Sequence, residues 1–215
     1  MTALEVVVRG HARGRYPAER ATVSLAAAFE DTDRQTVYRR AVGLQEPLIA
    51  DLRRLYDAGA VTRWSTDQLR VFSYRPHSDT GTQVLLYRVA IRVEAEFADV
   101  EELASLLDRW ALQDGVEVGS TVWDITEENR RQYEARLRTE AVADATAKAQ
   151  AFATAAGRGS VVAVTLADPG MLGQPDGPRP MMARMAMDAG GGPALELRPD
   201  DITLDIAVDA RFIAE

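Results

Sequence analysis

Thioether sulfur is the least ordinary chemical resource in this sequence. Five of its six methionines, Met171, Met181, Met182, Met185 and Met187, fall in one Pro- and Gly-rich stretch. Soft sulfur ligands select Cu(I), and Met181, Met182, Met185 and Met187 have the spacing of a methionine-only site. The same flexible side chains also suit an adaptable apolar contact with a partner subunit, or sacrificial oxidation. Packing or a subunit contact is the preferred reading; a loop without a role and copper or redox chemistry are the alternatives.

Other chemistry is hard to assemble. His11 and His77 are the only histidines, so a Ser/His/Asp triad or a histidine-centred metal site needs one of them. Both are expected in turns, as solvated side chains. No cysteine is present, which excludes disulfides, thiolate catalysis and cysteine-ligated clusters. The glycines form neither a dinucleotide fingerprint nor a phosphate-cradling loop. Glu101-Glu102, Glu127-Glu128 and Asp200-Asp201 stand at the starts of predicted elements, where capping and the helix dipole account for them. Asp144 and Lys148, four apart on a predicted helix, read as an intrahelical ion pair worth about 0.2–0.5 kcal/mol. No catalytic residue and no cofactor site is assigned, and the expectation is a protein that is not an enzyme.

The net charge of −8 opposes phosphate backbones and anionic lipid surfaces, so no nucleic-acid partner is expected. Charge-free runs such as residues 159–167 are far shorter than the roughly 20 apolar residues of a spanning helix. No membrane span is therefore predicted. The opening residues, with three valines before Arg9, read as a first strand and not as a secretory signal, which makes a cytoplasmic location the expectation.

Periodicity supplies the elements that must hold these side chains. Leu4, Val6 and Val8 alternate, as do Ala21, Val23, Leu25, Ala27 and Phe29, predicting a pair of early strands with Gly10, Gly14 and Pro17 in the turn region between them. Thr32-Asp33-Arg34-Gln35 opens a helix on Val37, Ala41, Leu44, Leu48, Leu52 and Leu55, ending near Gly59. Residues 61–74 are strand-like with poor alternation, and Leu85 to Phe97 alternate cleanly, so the two are expected to pair as a hairpin. Asp99 caps a second helix through Leu103, Leu107 and Trp110, and residues 116–125 form a strand. Thr126 caps a third helix whose inward stripe is read as Tyr133, Leu137, Ala141, Ala145, Ala149, Phe152 and Ala156. Strands at 160–167 and from Ile202 to Phe212 flank the long loop at 168–199. The order β-β-α-β-β-α-β-α-β-β predicts an α+β fold, a mixed, mainly antiparallel sheet packed by three helices, in one domain spanning 1–215.

The run from Ala141 through Asp144, Ala145, Lys148, Ala149 and Phe152 to Gly157 resembles the signature helix of the SIMPL-domain family. Val8-Arg9-Gly10, Pro17-Ala18-Glu19-Arg20-Ala21, Tyr87 and the last strand after Pro199-Asp200-Asp201 agree in order, so the resemblance covers nearly the whole chain. Two turn details depart from the family pattern, Pro17-Ala18 where Pro-Asp is usual and Pro199-Asp200 where Pro-Gly is usual. The resemblance implies a homo-oligomer and a link to stress defence, since relatives include periplasmic oxidative-stress-defence proteins and ring-forming assemblies. It transfers no active site and identifies no ligand. The functional expectation is thus a non-enzymatic, self-associating structural or interaction protein. The alternative is a binding module that uses the Met-rich loop for Cu(I) or a small apolar ligand.

Overall fold

A computed structural model of the chain describes residues 3–77, 84–172 and 197–215. They form β1 (Leu4–Tyr16), β2 (Arg20–Asp31), α1 (Arg34–Asp57), β3 (Val61–Tyr74), β4 (Leu86–Phe97), α2 (Val100–Trp110), β5 (Val116–Asp124), α3 (Glu127–Ala155), β6 (Val161–Ala167) and β7 (Ile202–Ala214). This is the α+β order read from the sequence. The strands divide between two sheets, ordered β1-β7-β6 and β3-β4-β2-β5, and every pairing is antiparallel. The chain separates correspondingly into two compact units, one holding β1, α3, β6 and β7, the other β2, α1, β3, β4, α2 and β5.

In the first unit the two early strands turn out not to be partners. β1 pairs along its whole length with β7, from Leu4 opposite Ala214 to Tyr16 opposite Ile202. Gly10 and Gly14 therefore lie inside a strand, and only residues 17–19 connect it to β2. Glycine stands at position 10 because a helix crosses there. A Cβ on Gly10 would sit 1.9 Å from the Ala141 carbonyl oxygen and 2.8 Å from the Ala145 Cβ.

The alanines of α3 make that approach possible. Leu137, Ala141, Ala145, Ala149 and Ala153 are its buried residues, and Ala145 and Ala149 pack on Val6, Val8, Ala210 and Phe212. Nearer the start of α3, Leu137 packs with Ile125 and Leu204, and Tyr133 stacks on Tyr16 with ring centroids 3.8 Å apart. The predicted stripe thus holds to Ala149 and then continues through Ala153, leaving Phe152 and Ala156 exposed. A strict four-residue step drifts about 40° per step on a helix of 3.6 residues per turn, so the contact line winds round α3 as a twisted sheet requires. The helix ends at Gly157 with φ +70°, where the Arg158 N–H bonds the Ala153 carbonyl at 2.9 Å.

The second unit is a four-stranded sheet with both of its helices on one face. Asp33 caps α1 by accepting from the Thr36 N–H, and Asp99 caps α2 by accepting from the N–H groups of Glu101 and Glu102. Leu48, Leu52 and Leu55 of α1 and Leu103, Leu106, Leu107 and Trp110 of α2 meet Val23, Leu25, Val93 and Phe97 in one core. Trp110, read as inward-facing, is buried, and its indole N–H donates to Asp51 at 2.9 Å. β3 and β4 pair as the expected hairpin; the turn expected between them at Pro76-His77-Ser78-Asp79-Thr80-Gly81 lies outside the described residues from Ser78 on.

Gly10→Ala tests the close approach. Its methyl must move a helix backbone, so despite the better strand propensity of alanine the variant should lose about 2 kcal/mol, seen as a lower urea midpoint at unchanged slope.

Candidate functional site

β1 is an edge strand, so half of its backbone hydrogen-bonding groups have no partner in the ladder. α3 takes two of them. Asp144 accepts the His11 backbone N–H at 2.8 Å, and the Lys148 ammonium donates to the Arg9 carbonyl at 3.1 Å. Lys148 also donates to Asp144 at 2.6 Å, which closes a four-membered polar clasp over Gly10. The ion pair read from the spacing exists, and its geometry gives it a second task beyond helix stability. The bond from Lys148, followed by that from the His11 N–H, holds the Asp144 carboxyl below the usual carboxylate range.

On the opposite face of the same sheet Arg9 stands across from Asp209. It donates twice to that carboxylate, from Nε at 2.5 Å and from Nη2 at 3.0 Å. Asp209 is the one charged residue among those described that is buried, at 6% exposure. It also accepts the Gly170 N–H at 2.9 Å, which ties the turn after β6 to β7. The Arg9 bond is the main cause holding the Asp209 carboxyl below its ordinary value, against the opposing effect of burial. Beside this pair, Arg13 donates to Asp205 at 2.7 Å on the solvent-exposed surface.

The structure places the sequence candidates unevenly. Met181, Met182, Met185 and Met187 lie outside the described residues, and Met171 is exposed just after the Asp168 turn. His11 is on a strand, correcting the expectation of a turn, and it is its backbone that makes the bond to Asp144. His77 follows β3 in irregular structure. Among the described residues no group of three or more His, Asp or Glu side chains is placed to hold a metal ion. No helix of the described residues is long and apolar enough to cross a membrane. The Arg9 and Asp209 pair was missed in sequence reading. Its signal was present as an inverted pattern, Arg9 and Arg13 on the polar face of one strand against Asp205 and Asp209 on the polar face of another.

The four sheet edges differ in how they are finished. β1 is closed by the Asp144 and Lys148 clasp. β3 carries Arg63 and Arg70, and β5 carries Glu117 and Asp124. β6 is clasped only at its start, where Gln150 of α3 accepts the Val161 N–H at 3.1 Å and donates to the Gly159 carbonyl at 3.0 Å; it carries no charge and reads Val161-Val162-Ala163-Val164-Thr165-Leu166-Ala167, with Val162, Val164 and Leu166 exposed at 64%, 51% and 50%.

Residues 6–212 match the family model SIMPL, described as protein of unknown function (DUF541). The chain belongs to the SIMPL family. No curated protein matches it. The SIMPL match runs through both compact units. The helix that resembles the SIMPL signature, residues 141–157, is the half of α3 that supplies the clasp and the alanine contact with Gly10. Its alternation of Ala, Asp and Lys is thereby accounted for by packing and edge closure.

Asp209→Asn should cost about 2 kcal/mol at pH 7, as expected for weakening hydrogen bonds to a charged partner. Because the folded carboxyl titrates below its unfolded value near about 4, its contribution is present above that value and disappears as pH falls through the folded pKa. Urea unfolding of both proteins at neutral and acid pH should therefore show the difference shrinking on the acid side. A pH-independent difference would assign the loss to shape alone.

Proposed function

We infer that this SIMPL chain works as a single domain of two units, is non-enzymatic, and acts as an interaction protein that self-associates through the edge of β6. The observation that carries the reading is the bare edge itself. Past Val161, whose N–H Gln150 takes, β6 is an edge strand with no Pro, no charge and three half-exposed aliphatic side chains, which is a template for another strand. A second copy of β6 in antiparallel alignment pairs with that edge about a two-fold axis and joins two three-stranded sheets into one of six. The finish of the other three edges supports the choice of this one. A link to stress defence is part of the same reading and rests on family resemblance.

The Met-rich segment supports a second reading, in which Met181, Met182, Met185 and Met187 bind Cu(I) through thioether sulfur. Competition titration against a variant with the five loop methionines changed to leucine discriminates it, since equal affinities end the idea.

Size-exclusion chromatography with light scattering, at tens of micromolar protein, should give a mass above that of one chain. The double substitution Val162→Lys with Val164→Lys places charge on the open edge and should return the mass to a monomer with an unchanged circular dichroism spectrum. A wild-type monomer removes self-association, and an assembly that survives both lysines removes β6 as its site.

A further inference from the structure

The second unit holds a groove that self-association does not use. Its floor is made by Leu69 and Val71 of β3, which pair in register with the buried Ile91 and Val89 of β4 and so lie on the helix-covered face. α1 covers that face over β2 and β4, burying Val37 and Ala41 against Ala27, Val89 and Ile91. Over the edge strand the cover stops, and Leu69 is left 54% exposed. The space between β3 and the first turns of α1 encloses about 660 Å³ and is walled by Arg34, Gln35, Tyr38 and Arg39. That volume falls within the roughly 300–1,000 Å³ of small-molecule sites.

The charge of the wall is out of keeping with the rest of the molecule. The chain is acidic, with a net charge of −8, yet among the described residues the groove lining contains two guanidinium groups and no carboxylate. α2 and α3 carry Glu101, Glu102, Glu127 and Glu128 in their first turns, as the helix dipole favours, whereas α1 has no acidic residue there and starts on Arg34. Arg34 has no hydrogen-bond or ion-pair partner among the described residues, and Arg39 makes a 3.5 Å contact to the Thr36 hydroxyl and a weaker electrostatic interaction with the Asp33 carboxylate. A cation placed against the dipole and left unpaired beside an apolar floor is matched by a ligand with an anionic head and an apolar body.

We propose that this groove binds a small amphipathic carboxylate, its head on Arg34 and Arg39 and its alkyl or aryl body on Leu69, Val71 and the Tyr38 ring. Guanidinium groups bind carboxylates by paired, charge-assisted hydrogen bonds, and the apolar floor supplies burial that a simple anion would not gain. Binding of this kind weakens with added salt, because both arginines are exposed.

The probe is decanoate, kept below its micelle-forming concentration, with decan-1-ol as the uncharged control, followed by methyl and amide NMR shifts of the full chain. Decanoate should shift Leu69, Val71 and Tyr38 saturably, and decan-1-ol should bind at least about fivefold more weakly. The double substitution R34Q with R39Q, both at exposed positions, should abolish that preference while leaving the spectrum of the unliganded protein folded. Absence of a saturable shift, equal binding of the two probes, or a preference that survives in the double variant overturns the proposal. Shifts of the same residues that grow with protein concentration alone would give the groove to a second copy and overturn it as well.

Discussion

The close passage of α3 over β1 at Gly10 is the contact on which the first unit depends. A helix can lie that near a strand only if both surfaces are stripped of side-chain bulk, and here the strand contributes no Cβ and the helix contributes methyl groups. Small side chains bury little apolar area each, about 25 cal/mol per Å² removed from water. The proximity compensates through polar contact, since only at this distance can Asp144 and Lys148 reach the backbone of Arg9 and His11. Packing and hydrogen bonding are thus two results of one steric fact.

The same fact sets the two ends of the sheet apart. Side chains on α3 finish the middle of the β1 edge, whereas on β6 they reach only its first residue, through the bond from the Val161 N–H to Gln150. Val161 alone of the β6 side chains joins the core formed with α3. An edge closed from within the chain cannot recruit a partner, and an edge left open can. The asymmetry leaves residues 162–167 as the uncharged edge of the sheet.

What could be read from the sequence was what is decided locally. Asp99 and Thr126 were legible as caps because a side chain and the next turn of backbone suffice to make one, whereas the capping box read from Thr32 to Gln35 falls one residue early, the cap of α1 being Asp33. The alanine stripe was legible up to Ala149, and went astray at Phe152 because hydrophobicity was followed where the winding of the contact line governed. Pairing was not legible, since strand periodicity states a face and never a partner, and Arg9 and Asp209 are 200 residues apart. Gly10 was taken for a turn because both tight turns and close approach demand the absence of a side chain. The poor alternation of residues 61–74 had a cause that only coordinates reveal, register shifts at Val61/Arg63 and Thr66/Gln68, and those shifts set which of its apolar residues face the groove.

The sheet order β1-β7-β6 also has a kinetic meaning. β7 is the middle strand and the last of the three to leave the ribosome, so until it arrives β1 and β6 have no common neighbour. The other unit draws all of its strands and helices from residues 20–124 and can complete its sheet while α3 is still being made. Closing β1 onto β7 joins residues such as Arg9 and Asp209 that are 200 apart, which raises contact order and slows folding. β1 is then made long before it can be placed, and for that interval Val6, Val8 and the β6 valines stand exposed together to whatever binds unpaired strands.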